Sequence, residues 1–289
     1  MAKPIAPIDA AALSAIALIW GINNVLTIMA VDYFPPMMFT GLRFLVTAAV
    51  LFPFLKIVKG KWRMLLAIAA LSGPVHFAFV YAGFAVADDV TPVVIAAQLW
   101  IPFSVALAAI FLREGVGWLR GAGVVASFLG VAAMGFDPAV FAQGRALVLI
   151  AIGAFIWACV SILLRRFSGV RPFELQAWTA LIAFPPLFAA SGLTESGQAT
   201  ALSTAPWWAW AAIVFAGLVS SIGANAMLFR LVQKYEVART TPYLLATPVI
   251  SAGLGVAFLG DHITVQIVAG ALIALIGVAL CALAERRGV

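Results

Sequence analysis

The chain has 289 residues, of which 65% are hydrophobic and 10% charged, with a mean hydropathy of +1.13. Water-soluble domains are nearer half apolar and a quarter charged, so this composition excludes a soluble protein and predicts a membrane one. The net charge of +6 does not point to nucleic acid, because the basic residues gather at the ends of apolar runs and set orientation there.

Apolar runs between charges and turn residues predict ten membrane spans, near 10–30, 36–56, 63–84, 91–112, 119–137, 146–164, 174–193, 207–230, 241–259 and 263–284. The first is too long for a signal-peptide core and reads as a retained helix. Joins are short except around Thr194 to Pro206, which leaves no room for a separate soluble domain. With the N-terminus in the cytoplasm, fifteen of the seventeen lysines and arginines fall at inner ends, and both termini are cytoplasmic. The exceptions are Arg145, in an outer loop, and Arg43, inside span two. Cys159 and Cys281 lie within spans and read as small core residues.

Span four carries a pattern that recurs in span nine. Both copies open with Thr-Pro (Thr91-Pro92, Thr241-Pro242), hold a mid-segment proline (Pro102, Pro248) and end in an acid (Glu114, Asp261). Glycines seven apart follow each copy, Gly123 and Gly130 in one and Gly270 and Gly277 in the other. Gly73 and Phe79 precede Gly223 and Phe229 by 150 residues, the same offset as the Thr-Pro pair. The copies are five spans apart, an odd number, so the two halves must insert upside down relative to each other. Inverted repeats with interrupted helices are the recurring plan of secondary transporters, with the binding site between the halves near midplane. The expected fold is therefore all-helical, two inverted five-helix repeats (1–140 and 141–289) around a central cavity, with Pro74, Pro102 and Pro248 as hinges.

Polar residues within spans are the site candidates, since lipid makes them costly. They are Asn23 and Asn24 beside Trp20 in span one, His76 after Pro74 in span three, and Gln98 and Trp100 in span four. Trp157 and Ser161 follow in span six, Ser221 and Asn225 in span eight, and Tyr243 and Thr247 in span nine. Such a set offers amide and hydroxyl hydrogen bonds to a zwitterion, with aromatic walls for its side chain. The plainer reading of the Asn and Ser residues is interhelical glue. Trp207, Trp208 and Trp210 read as interface anchors. Arg43 has the fork to anchor a carboxylate, but snorkelling outward or pairing with Asp88 or Asp89 is the favoured expectation. The glycines of spans five and ten read as packing surfaces or a dimerisation face, and the expected unit is a monomer. All eleven acids lie at or beyond span ends, which favours facilitated transport over ion coupling. His76 and backbone carbonyls are the groups left for proton or sodium coupling. With His76, His262 and two dispersed cysteines there is no clustered nucleophile, base or metal-ligand set, so neither an enzyme nor a cofactor is expected.

Trp20-Gly21-Ile22-Asn23, Pro35-Pro36 through Gly41-Leu42-Arg43-Phe44, and Glu114 resemble the EamA-type members of the drug/metabolite transporter superfamily. Trp157 to Cys159 and Lys234 to Glu236 look similar to bacterial amino-acid and cysteine/O-acetylserine exporters of that family. Asp261 stands where the family usually has Glu. The resemblance implies an inner-membrane protein exporting amino acids, aromatic and other neutral ones among them, or related small metabolites by alternating access. A proton-coupled multidrug exporter is the alternative.

Overall fold

The computed structural model describes every residue except 1–4, 57–59, 112–116, 168–169, 235–242, 245 and 288–289. All its elements are helices. In chain order they are α1 (Pro7–Val31), α2 (Pro36–Leu51), α3 (Trp62–Ala70), α4 (His76–Phe84), α5 (Val90–Ala97), α6 (Trp100–Phe111) and α7 (Trp118–Gly135). Then come α8 (Pro138–Ala142), α9 (Gly144–Arg166), α10 (Pro172–Thr194), α11 (Gln198–Thr204), α12 (Trp207–Val214), α13 (Asn225–Lys234), α14 (Ala246–Leu259) and α15 (Val265–Arg287). Seven helices or joined helices are long and apolar enough to cross a membrane: Pro7–Val31, Pro36–Phe54, Trp62–Phe84, Thr91–Phe111, Gly144–Leu164, Pro172–Thr194 and Trp207–Leu228. Three shorter apolar helices, Gly121–Met134, Ala246–Leu259 and Val265–Cys281, occupy the places of expected spans five, nine and ten. The stretch expected as a long join after Thr194 holds α11.

The prolines act differently from one another. Pro74 lies in a π-turn, Leu71–Val75, that joins α3 to α4 without ending the helix, as π-bulges do where a proline removes a ladder bond. A second π segment, Phe215–Ala224, joins α12 to α13. Gly73 and Gly223, the pair 150 residues apart, fall one in each. Span four is interrupted beside Pro102, as a proline-broken helix should be. The chain breaks ahead of it, at Gln98 and Leu99, and Pro102 sits in the first turn of α6, a position where its missing N–H costs little. The carbonyl of Gln98, which Pro102 cannot reach, accepts instead from the backbone N–H of Ile101 at 3.1 Å. Pro248 lies in the first described turn of α14.

The helices pack in pairs: α7 along α15, α2 along α10, α4 and α6 along α9, α1 along α14 and the second π segment. The α7–α15 pair uses the predicted glycines. A Cβ on Gly130 would lie 2.3 Å from the backbone nitrogen of Ala274, and one on Gly277 would lie 2.4 Å from that of Ser127. These faces are consumed within the chain, as their reading as packing surfaces expects, and the alternative of a dimerisation face is set aside for Gly123, Gly130, Gly270 and Gly277. Close approach of small residues is what holds helices together where lipid removes the hydrophobic drive.

The acid of the second motif copy ties the two copies together. Asp261 Oδ2 accepts from the backbone N–H and the hydroxyl of Thr91 at 3.0 and 2.8 Å, capping α5 across the fold. Beside it, Asp89 accepts from the N–H of His262 (3.1 Å) and from Gln143 Nε2 (2.9 Å), while Gln143 Oε1 accepts from the N–H groups of Asp88 and Asp89. Asp261 is only 6% exposed. Asp261→Ala would leave the Thr91 donors unsatisfied and is expected to lower stability by about 2–4 kcal/mol, read as a fall in melting temperature in detergent. Glu114, Thr241 and Pro242 lie outside the described residues.

Candidate functional site

Two adjacent helices, α4 and α9, build an aromatic wall around His76. The ring stacks at 5.0 Å from Trp157 of α9 and at 4.8 Å from its neighbour Phe77. Its Nδ1 lies 2.9 Å from the carbonyl of Gly153. A carbonyl only accepts, so Nδ1 carries the proton and Nε2 is left for another partner. Gly153 makes the approach possible, since a Cβ there would lie 2.8 Å from Val80 of α4.

Trp100 lies at the level of this wall by register. Ser104 donates to the Trp100 carbonyl at 2.7 Å and lies 3.0 Å from Ser161. Trp100 precedes Ser104 by one turn of α6, and Trp157 precedes Ser161 by one turn of α9. The hydroxyl pair therefore sets the two indole-bearing turns at one level of facing helices. Ser161 Oγ also lies 2.7 Å from the carbonyl of Ala158 in its own helix, and it is the 3.0 Å contact with Ser104 that makes this hydroxyl glue between α6 and α9.

Arg43 departs most from expectation. It neither snorkels nor meets Asp88 or Asp89. It turns inward, 4% exposed, with Nε donating to Ser221 Oγ at 3.0 Å and Nη1 to the Tyr81 hydroxyl at 2.6 Å. Its Cζ lies 4.4 Å from the centre of the Phe77 ring. Ser221 in turn donates to the carbonyl of Ala216, five residues back in the π segment. Arg43, Tyr81 and Phe77 were thus missed as neighbours of the His76 wall. The only sequence signal was a charge placed mid-span.

The remaining candidates fall elsewhere. Trp20 and Tyr243 pack together against Leu13, Ile16, Ala224 and Leu231. Asn24 Nδ2 donates to Ser251 of α14 at 3.1 Å, a bond between helices. Gln98 sits at the α5–α6 break and Asn225 at the start of α13. Asn23 Oδ1 and Thr247 Oγ1 are buried without a hydrogen-bond partner, as is Thr27 Oγ1, which sequence reasoning did not single out. A buried polar atom left unpaired costs about 1–3 kcal/mol, so each favours a state or a ligand that satisfies it. Trp207 is 80% exposed as an interface anchor should be, whereas Trp208 and Trp210 pack edge-on against Tyr33 and Phe34.

Many apolar spans, interrupted helices and buried polar groups along them define a multi-pass membrane transporter. The chain belongs to the EamA-like transporter family, whose profile matches it twice, over residues 9–136 and 144–283. It is 26% identical over 273 residues to a probable amino-acid metabolite efflux pump of Salmonella typhimurium, covering 91% of this chain and 90% of that protein. A protein of the same description from Escherichia coli is 26% identical over 274 residues, again 91% and 90% of the two chains. A solved crystal structure at 19% identity shares the fold, with a TM-score of 0.65 over 98% of this chain and 99% of its own.

Proposed function

We propose that this protein is a bacterial inner-membrane exporter of amino acids or related small metabolites, working by alternating access between two inverted five-helix halves, 1–140 and 141–289. The observation that carries the reading is the twofold pattern of family match and packing. The profile matches each half separately. Contacts also repeat under a shift of five spans: α1 on α14 matches α9 on α6, and α1 on the second π segment matches α9 on α4. Relatives described as probable amino-acid metabolite efflux pumps support the substrate class. The substrate lies against His76, Trp157 and Trp100, with ten helices in the membrane, both termini cytoplasmic and the monomer as working unit.

Transport runs down the substrate's own gradient, because Asp and Glu are absent from the mid-depth of every span. His76 is the observation that favours the second reading, a proton-coupled multidrug or metabolite exporter. Uptake of labelled amino acids into proteoliposomes, with and without imposed pH and sodium gradients, separates the two. Rates indifferent to both gradients are expected. A strict requirement for a pH gradient would move the mechanism to proton coupling through His76, and transport of cationic drugs alone would replace the substrate class.

A further inference from the structure

Arg43 is a buried cation for which the described residues provide no counter-ion. A guanidinium has five N–H donors. Ser221 takes the one on Nε and Tyr81 one on Nη1, so among the described residues three N–H donors have no partner and no Asp or Glu lies in ion-pair range. Stacking over Phe77 offsets part of the desolvation, on the order of 1–2 kcal/mol. Burying an uncompensated charge at this depth costs several kcal/mol. The arrangement is nonetheless held firmly, from a helix on one side and a π segment on the other, with one edge of the planar fork left over. A carboxylate matches that edge in charge and in geometry.

We propose that Arg43, held by Ser221 and Tyr81, is the subsite for the carboxylate of the transported solute. This inference rests on the amino-acid reading above and narrows it: the substrate must carry a carboxylate beside an apolar or aromatic body. Phe77 links the two parts of the site. Its ring centre is 4.4 Å from the Arg43 Cζ and 4.8 Å from the His76 ring, which itself stacks on Trp157. A carboxylate on Arg43 therefore places the remainder of the molecule along the Phe77, His76 and Trp157 wall. His76 Nε2, with its lone pair free, is an acceptor for the ammonium group.

The test is binding to purified wild-type protein by titration calorimetry, comparing L-phenylalanine, L-leucine and L-cysteine with their carboxamides, which keep the ammonium and side chain but lose the charge. The acids are expected to bind at least ~10-fold more tightly than the amides. Tyr81→Phe should weaken the acids ~3- to 10-fold and leave the amides unchanged, since it loosens the fork without removing it. Arg43→Gln should erase the difference, and Arg43→Lys should restore part of it. A purely structural arginine would move acids and amides together. Equal binding of acids and amides by the wild type would overturn the inference while leaving the amino-acid reading standing. Failure of every acid to bind would remove both. The wild-type comparison and Tyr81→Phe decide the matter even where Arg43→Gln does not fold.

Discussion

Gly130→Val is expected to abolish folded protein, while Gly121→Ala, nine residues earlier on the same helix, is expected to change little. The difference lies in what each new Cβ would meet. At Gly130 the neighbours are the nitrogen and Cα of Ala274 and the carbonyl oxygen of Gly270, at 2.3, 2.7 and 2.6 Å. All three are backbone atoms of α15, so no side chain can rotate aside. The helices would have to separate along a seam also closed by Gly123 against Gly277 and by the Ser127 hydroxyl bonded to the Gly123 carbonyl at 2.9 Å. Overpacking in a well-packed interior costs about 1–3 kcal/mol, and a backbone collision lies at the upper end or beyond. At Gly121 nothing lies within 4 Å. Alanine there gains helix propensity of roughly 0.5–1 kcal/mol. Size-exclusion profiles from detergent extracts read both outcomes. A monodisperse Gly130→Val protein would mean that α7 and α15 do not pack as described.

Trp157→Ala and His76→Ala are expected to reduce transport at least ~10-fold, equivalent to about 1.4 kcal/mol of lost binding, without loss of folded protein. Both side chains are only partly buried, so their removal opens little cavity inside the protein. His76→Phe sharpens the result. It keeps a flat ring against Trp157 but has no nitrogen for the Gly153 carbonyl or for a substrate ammonium. Loss of transport in His76→Phe assigns the role to the imidazole nitrogens. Retained transport reduces His76 to a wall. Counterflow rates normalised to reconstituted protein distinguish the two, and unimpaired transport by all three variants would refute this site.

The spans were legible in the sequence because lipid imposes a long apolar run on each crossing, whatever its partners. The glycine spacings of spans five and ten were legible for a related reason: each marks a close backbone approach that side-chain variation cannot hide. Asp261 shows the limit. Its place at the end of the motif was visible, but its bond to Thr91, 170 residues away, is a product of tertiary packing. The π segment around Ser221 was equally hidden, since the sequence of a π-turn differs little from that of an α-helix. Arg43 was misplaced for a physical reason. Depth alone favours snorkelling, and only the packing of Tyr81 and Phe77 beside α2 shows that the side chain is held inward. His76 and Trp157 were picked out from depth and from the adjacent proline. Their stacking depends on Gly153, which sequence reasoning passed over. Trp20 and Tyr243, chosen on similar grounds, pack into a separate apolar cluster, because depth selects residues without saying which face they occupy.

The most direct test of an amino-acid exporter built on alternating access is counterflow. Purified protein is reconstituted into liposomes preloaded with an unlabelled neutral amino acid, and entry of the labelled form is followed with no ion gradient present. Transient accumulation of label above equilibrium, driven by exit of the internal pool, is expected, as is its loss in Trp157→Ala. Label that equilibrates without overshoot would indicate a channel, and absence of entry across a panel of aromatic, aliphatic and sulfur-containing amino acids would contradict the substrate class.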